Sequence, residues 1–140
     1  MRFVIAAVLA FGLYGCSARP ELPPRAKVTG VVKINGRPLP VGRINFTPDR
    51  DKGNDGPVAV GAIDAQGRFE LQTDRDGDGS DGAAIGFHKV CIIANRSDSS
   101  DPLKVYSLIP GKYNKPETSG LTAEVKAIEV NEITFELKTQ

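Results

Sequence analysis

The sequence predicts an all-β sandwich or barrel, and three observations support this. Short apolar segments alternate hydrophobic and polar residues with a period of two, which is typical of strands that bury one face. Gly and Pro, at 15 and 10 residues, separate these segments, and no stretch shows a convincing helical pattern. The composition, with 40% hydrophobic and 25% charged residues, is that of one small globular domain.

Seven segments carry the strand pattern: residues 26–34, 41–47, 58–63, 68–73, 86–94, 121–126 and 133–138. Asn35 and Gly36 adopt left-handed backbone readily, so the first two strands are expected to form a hairpin. A tight turn closed by the Asp64 side chain is expected between the third and fourth strands. Residues 48–57 and 95–120 are polar connections expected to run over the surface.

The N-terminal segment has the shape of a secretory signal. Arg2 precedes an apolar run that ends at Leu13, and this run is too short to span a membrane. The ending Leu13-Tyr14-Gly15-Cys16 resembles the bacterial lipobox, and this resemblance implies cleavage before Cys16 and attachment of lipid to its thiol.

We therefore expect a signal peptide at residues 1–15, a lipidated Cys16 with a Pro-rich tether at residues 16–25, and the sandwich domain at residues 26–140. The resemblance implies an anchor in the bacterial cell envelope that faces the periplasm or the exterior. Ser17 after the cysteine, where Asp would retain such a protein, favours the outer membrane.

The charge pattern gives no basis for binding nucleic acid. Of the 18 basic residues, Arg2 lies in the predicted signal peptide, so 17 basic residues balance 17 acidic ones. The charges are interspersed, with no basic cluster of the kind a phosphate backbone requires.

Five segments in a fixed order resemble the carboxypeptidase-regulatory-like or transthyretin-like family of small bacterial lipoproteins. They are VTGVVKINGRPLPVGRINFTP, GAIDAQGRFEL, GFHKVCI, LIPGKYNKPETSGLTAEV and ITFEL. This resemblance implies a single seven-stranded, immunoglobulin-like or prealbumin-like sandwich. It implies no particular activity, since one sandwich fold hosts many functions.

The residues favour a protein that is not an enzyme. A relative in the wider fold hydrolyses 5-hydroxyisourate with several His and Arg residues and a C-terminal Tyr-Arg-Gly-Ser, whereas this chain has one histidine, His88, and ends FELKTQ. His88 lies in phase with the apolar residues of its strand and is expected to be a packed ring. Cys91 is expected to be a small strand residue with no base to activate it.

The acidic stretch at residues 73–82, TDRDGDGSDG, leaves two interpretations open. Asp74, Asp76 and Asp78 match the first half of a calcium loop, and Asp81 is a further candidate ligand. However, Ile85 occupies the position of the final glutamate. The alternative is a plain turn between strands, and apart from calcium no cofactor is expected.

Tyr106 and Tyr113 lie in the long connection and form a candidate ligand-contact loop, because sugars stack on exposed aromatic rings. The alternative is that the aromatic and apolar residues of this connection anchor it over the end of the sandwich. The sequence thus predicts a non-catalytic, lipid-anchored envelope module that docks a protein partner through loops or sheet edges. A calcium- or carbohydrate-binding module is the alternative.

Overall fold

The computed structural model describes residue 15, residues 23–73 and residues 80–139, with the backbone alone at residues 80 and 81. Regular structure in these residues consists of strands and two short 3-10 helices, Arg50–Lys52 and Gly111–Asn114. The strands are β1 (Arg25–Ile34), β2 (Arg37–Pro38), β3 (Gly42–Pro48), β4 (Ala59–Ile63), β5 (Arg68–Glu70), β6 (Gln72–Thr73), β7 (Ser80–Asp81), β8 (Ala83–Ala84), β9 (Gly86–Ile93), β10 (Asn95–Ser97), β11 (Val105–Ser107), β12 (Leu121–Val125) and β13 (Val130–Leu137). The predicted all-β class is confirmed, although the described strands outnumber the seven predicted.

Two packed sheets and one small hairpin organise these strands. In the first sheet β1 is central, with β13 parallel on one side and β2, β5 and β8 antiparallel to it. The second sheet has the order β12-β9-β3-β4-β6-β7. The pair β10-β11 forms a separate two-stranded ribbon. A sandwich results because the apolar faces of the two large sheets cover each other.

Phe46 of β3 lies at the centre of the core, where rings from both sheets meet. Its centroid lies 6.3 Å from Phe69 and 5.9 Å from Phe135, both on the first sheet, and 5.5 Å from His88 on its own sheet. Burying each phenylalanine contributes about 2–3 kcal/mol relative to exposure. These buried rings lie on the apolar faces that the period-two pattern of the sequence predicts.

The predicted hairpin between the first two strands is wrong. Asn35 and Gly36 do form the expected turn, with φ of 50° and 80°, but only the two residues of β2 return along β1. Leu39 then turns inward and the chain crosses to the other sheet, where β3 pairs with β4 and β9. β1 instead pairs with β13 along one edge and with β5 along the other.

The predicted strand at residues 68–73 is two strands in different sheets. Its first half, β5, pairs with β1, and its second half, β6, pairs with β4. Leu71 marks the switch, with its N–H donating to the Val28 carbonyl at 2.9 Å. Phe69 and Leu71 are both buried, as the alternation of apolar and polar residues at 68–73 indicates, so only the pairing differs from the prediction.

The Asp64 turn and the burial pattern of β9 match the sequence prediction. The Asp64 carboxylate accepts hydrogen bonds from the N–H groups of Gln66 and Arg68, both at 2.9 Å. The connection at residues 48–57 departs from prediction, because Asp49 and Asn54 are buried instead of exposed.

Candidate functional site

Several predicted site residues lie outside the described part of the chain. These are Cys16, the expected lipidation site, and Asp74, Asp76 and Asp78 of the candidate calcium loop. Asp81 is described by its backbone alone, in β7, which pairs antiparallel with β6. Within the described residues, no group of three or more His, Cys, Asp or Glu side chains is arranged to hold a metal ion.

The two candidate tyrosines occupy different environments. Tyr113 is only 5% exposed, and its hydroxyl accepts a hydrogen bond from the Lys138 N–H at 3.1 Å. Its burial beside Ile109 anchors the long connection to the sandwich. Tyr106 lies on β11 and is 52% exposed. The structure thus separates the pair and leaves Tyr106 as the accessible member.

The β10-β11 ribbon presents apolar side chains to solvent. Leu103 in its connecting turn is 93% exposed, and Val105 and Tyr106 of β11 are about half exposed. We refer to Leu103, Val105 and Tyr106 as the hairpin tip. Val105 and Tyr106 are adjacent on a strand and point to opposite faces of the ribbon, with Leu103 at its end. Several exposed apolar side chains within one short segment are typical of interaction surfaces, whereas single exposed ones are ordinary.

Hydrogen bonds order the turn that carries the hairpin tip. The Asp98 carboxylate accepts from the N–H and hydroxyl of Ser100, at 2.8 and 2.7 Å, and from the Tyr106 hydroxyl at 3.1 Å. These bonds, chiefly the one from the Ser100 N–H, lower the pKa of Asp98 below its ordinary value. The Asp98 N–H and the Lys104 carbonyl close the ribbon at 2.9 Å. The apolar residues are therefore held in a defined arrangement.

The hairpin tip lies at the end of the sandwich opposite Arg25, where β1 begins. Arg25 pairs with Ala84, just before β9 begins at Gly86. The ribbon starts after β9 ends at Ile93, and the eight residues of β9 span about 26 Å. The start of β1 and the hairpin tip are therefore separated by the length of β9.

A second polar cluster lies in the interior, around His88. This ring is 1% exposed, and its Nε2 lies 2.8 Å from the Ala84 carbonyl oxygen. The Asn54 side chain lies beside it, with Nδ2 at 3.2 Å from Nε2 and 2.9 Å from the Phe87 carbonyl. The Asn54 Oδ1 accepts from the Gly56 N–H at 3.1 Å. Through Asn54 the connection at residues 48–57 is bonded to β9.

The two contacts of His88 Nε2 favour opposite tautomers, and the shorter one decides between them. A carbonyl can only accept, so the 2.8 Å contact with Ala84 places a proton on Nε2, and the 3.2 Å approach of the Asn54 Nδ2, itself a donor, is then not a hydrogen bond. The other nitrogen, Nδ1, makes no hydrogen bond of ordinary geometry within the described residues. Burial lowers the pKa of His88, and the carbonyls of Ala84 and Phe46 act in the opposite direction. The ring is therefore a neutral, enclosed group with no access for a substrate.

Cys91 lies on the same strand as His88 and is also buried. Burial raises the pKa of its thiol, and the negative charge of Glu117 adds to this effect. A nucleophilic cysteine needs the opposite shift and an accessible base. His88 and Cys91 are three residues apart on one strand and so point to opposite faces.

A groove of about 590 Å³ crosses the first sheet. It is lined by residues of β1, β4, β5 and β13, including Gly30, where a side chain would collide with the Phe69 ring and the Ile133 carbonyl. Its charged lining residues are Asp64, Arg68, Glu70 and Glu132. Glu70 pairs with Lys27 at 3.3 Å.

Sequence reasoning missed Asn54 and Leu103. Asn54 stands in a stretch of charged and turn-forming residues, and its burial depends on a strand far away in sequence. Leu103 was one apolar residue in a polar connection. The sequence signal for this turn is Asp98-Ser-Ser-Asp101. Asp side chains accept hydrogen bonds from backbone N–H groups two residues on and so close a turn, and such a turn can direct a neighbouring side chain toward solvent.

In the described part of the chain, no helix is long and apolar enough to cross a membrane. No family model and no curated protein matches the sequence. Among solved structures, a part of the 9R-lipoxygenase from Cyanothece PCC8801 is similar to 82% of this chain, at 17% identity and a TM-score of 0.40. The match spans 16% of that lipoxygenase chain. A similarity at this level carries no argument about function.

Proposed function

We propose that this chain is a non-catalytic, lipid-anchored module of the bacterial cell envelope that docks another envelope protein through the hairpin tip. The observation that carries the proposal is the placement of Leu103, which is 93% exposed at the end of a ribbon ordered by hydrogen bonds. The sequence supplies the anchor, through the resemblance of the segment before Cys16 to a lipobox.

The hairpin tip has the physical properties of a docking element. Keeping Leu103 and Val105 in water has a free-energy cost that burial against a partner removes, at about 25 cal/mol per Å² of apolar surface. The Tyr106 ring, held by its bond to Asp98, is an amphipathic side chain of the type that dominates binding interfaces. Because the turn is already ordered, little conformational entropy is lost on binding.

The position of the tip fits an anchored protein. With lipid on Cys16, the tether joins the sandwich at the Arg25 end, and the hairpin tip projects from the opposite end. The tip then faces away from the anchoring membrane. A protein partner is favoured over the membrane itself for this reason.

The burial of the two side chains best suited to catalysis, His88 and Cys91, supports a non-catalytic role. His88 and Cys91 are both buried, and the pKa shifts of both disfavour their charged forms. Their side chains point to opposite faces of β9. No nucleophile and base are adjacent there.

Docking is tested by substitution of the hairpin tip. Full-length protein carrying Leu103→Ser and Tyr106→Ser is purified from the envelope beside wild type, and the proteins that accompany each are quantified after mild crosslinking. We expect loss of about tenfold or more of at least one envelope protein. Ile128→Ser is the matched control, since Ile128 is 54% exposed in a different turn. Equal recovery of all proteins with the double variant and wild type would contradict the proposal.

Anchoring is tested separately at Cys16. Cys16→Ser should shift the protein from the membrane fraction to the soluble fraction and remove the mass of the lipid from the mature chain. Cys91→Ser is the control and should leave both properties unchanged, because Cys91 is buried in the sandwich. A wild-type mature chain that carries no lipid would contradict the anchor while leaving the docking test unaffected.

A further inference from the structure

Strand β13 is the outer strand of the first sheet and lies open along one side. Among the described residues, the eight residues of β13 pair only with β1, in parallel register from Val130 opposite Lys27 to Leu137 opposite Ile34. Alternate side chains project to solvent, among them Glu132, Thr134 and Glu136. A long, straight strand edge of this kind is a template for pairing with another extended chain.

The hydrogen bonds of β1 show which groups of β13 are free. The Val32 N–H donates to Gly67 and the Val28 carbonyl accepts from Leu71, so the even-numbered residues of β1 bond towards β5. Its odd-numbered residues therefore bond towards β13. The Asn35 N–H continues this series, since it donates to the Leu137 carbonyl at 2.9 Å.

Backbone groups alternate along a strand, so on β13 the odd-numbered residues face β1 and the even-numbered residues face outward. The outward residues are Val130, Glu132, Thr134 and Glu136. Within the described chain, none of their N–H or C=O groups bonds to another residue outside the ladder. Four consecutive donor and acceptor pairs are thus available on the open edge.

We propose that β13 accepts an extended, basic peptide segment of a protein partner as an added strand. Main-chain hydrogen bonds to the four outward residues would supply affinity, as in other strand-addition complexes. Two Lys or Arg residues four positions apart on the added strand would face Glu132 and Glu136 and supply specificity. This site is independent of the lipid anchor and of the hairpin tip.

The negative charges of Glu132 and Glu136 on β13 favour a basic peptide over a neutral or acidic one. Neither Glu132 nor Glu136 forms an ion pair within the described residues, although the Glu136 carboxylate accepts a hydrogen bond from the Gly36 N–H at 2.9 Å. Cross-strand neighbours of opposite charge are favourable, and like charges are unfavourable. Glu132 also lines the groove, where Asp64 already pairs with Arg68 at 3.6 Å and Glu70 with Lys27 at 3.3 Å, so Glu132 is the lining carboxylate without an ion pair in the described residues. A long basic side chain from the added strand fits this groove.

A second copy of the chain is a poorer occupant. Symmetric antiparallel pairing that uses all four outward residues places Glu132 opposite Thr134 of the copy. Each Glu132 then has carboxylates of the copy, Glu132 and Glu136, as its diagonal neighbours. Since diagonal side chains of this length interact, the pairing brings like charges together. A basic strand from a different protein avoids this repulsion.

The experiment uses a defined probe, an eight-residue peptide of Thr and Val with two Lys residues four positions apart. Its control has Glu in place of both Lys residues. Binding to the full chain is measured by calorimetry, and the contact is located by NMR shifts. We expect the Lys peptide to bind at least about tenfold more tightly than the Glu peptide, with shifts concentrated in β13.

Two N-methylated versions of the Lys peptide test for strand pairing. Each carries methyl groups on alternate amides, so one version blocks the amides that face β13 and the other blocks those that face solvent. We expect one version to lose binding and the other to retain it. Equal binding by both would show attraction by charge alone and would overturn the proposal.

Charge reversal on the protein completes the test. Glu132→Lys with Glu136→Lys should invert the preference between the two peptides, while Glu117→Lys with Glu124→Lys, which makes the same change elsewhere, should not. A thermal midpoint close to wild type verifies that each variant is folded. Inversion in both double variants, or failure of the Lys peptide to bind wild type, would overturn the proposal. Self-association through β13 that excludes the Lys peptide would overturn it in favour of a second copy.

Discussion

The two long connections of this molecule are both mainly polar in sequence, but their burial differs in an unexpected sense. Residues 48–57 contain no hydrophobic side chain, yet Asp49 and Asn54 are buried there. The connection at residues 95–120 contains several apolar residues, yet Leu103 and Tyr106 are exposed. Hydrogen-bond partners, as well as polarity, therefore decide which loop residues are enclosed.

The polar connection is enclosed because the sandwich satisfies its polar groups. Asp49 donates its N–H to the Phe87 carbonyl at 2.9 Å and accepts the Asn54 N–H at 3.1 Å. The apolar residues of the hairpin tip have no such surface to pack on, since both strands of the ribbon are exposed. One connection therefore completes the core, and the other is available for a partner.

The largest effect is expected at Asn54. Asn54→Ala removes the donor to the Phe87 carbonyl and the acceptor of the Gly56 N–H. The Gly56 N–H then has no partner in the described residues, and the Phe87 carbonyl keeps only the bond from the Asp49 N–H, so the free energy of unfolding should fall by about 2–4 kcal/mol. Denaturant unfolding measures the change. Asn95→Ala, in the exposed strand β10, is the matched control and should change it by less than about 0.5 kcal/mol. Similar losses of unfolding free energy in Asn54→Ala and Asn95→Ala would contradict the difference in burial between the two connections.

A glycine in each connection provides a second comparison. A Cβ on Gly56 would collide with the Ala84 side chain and lie 3.2 Å from Pro23, so Gly56→Ala should destabilise by about 1–3 kcal/mol. Gly111 has open space around it and an ordinary backbone conformation. Gly111→Ala should be neutral or stabilise by up to about 1 kcal/mol. Thermal unfolding of the two variants should therefore shift the midpoint in different directions, and a common direction would contradict the packing described here.

The buried ring of His88 should make stability depend on pH. Its pKa is lower in the folded state than the ordinary 6.5, so below pH 6.5 the unfolded state binds a proton that the native state excludes. The free energy of unfolding should fall as pH drops through this window, by up to about 1.4 kcal/mol per pH unit.

His88→Phe provides the control for this prediction, because it keeps a ring against Phe46 and removes the titrating group. The difference in unfolding free energy between wild type and His88→Phe should vary between pH 6.5 and 5, while contributions of shared carboxylates cancel. A difference that stays constant over this range would contradict the neutral, enclosed state of His88.

The smallest effect is expected at the acidic stretch, where the sequence favours a plain turn over a calcium site. A bound ion at a hundredfold excess over its dissociation constant would stabilise the fold by about 2.7 kcal/mol. We expect no change in the thermal midpoint between chelator and millimolar calcium, and none from Asp76→Ala. A rise with calcium that Asp76→Ala abolishes would identify a calcium site.

The faces of the strands could be predicted from sequence, whereas their partners could not. Alternation identified Phe69, Leu71 and His88 as inward residues, because burial on one face repeats every second residue. Alternation carries no information on pairing, and it therefore missed the sheet switch at Leu71 and the parallel pairing of β1 with β13.

Only part of the candidate site could be predicted from the sequence, because exposure in a connection depends on tertiary contacts. Tyr106 was identified as an aromatic residue in a loop, but its exposure and the burial of Tyr113 depend on where the connection meets the sandwich. Asp98 and its hydrogen bonds are local, so the ordered turn is visible in the sequence once the exposure of Leu103 is known.

Docking through the hairpin tip can be tested in living cells by site-specific photocrosslinking. A photoreactive phenylalanine analogue at position 106 is compared with the same analogue at position 128, which is equally accessible in the turn before β13. We predict a discrete crosslink to an envelope protein from position 106 that position 128 does not give. The same crosslinks from both positions, or none from position 106, would contradict docking through the hairpin tip.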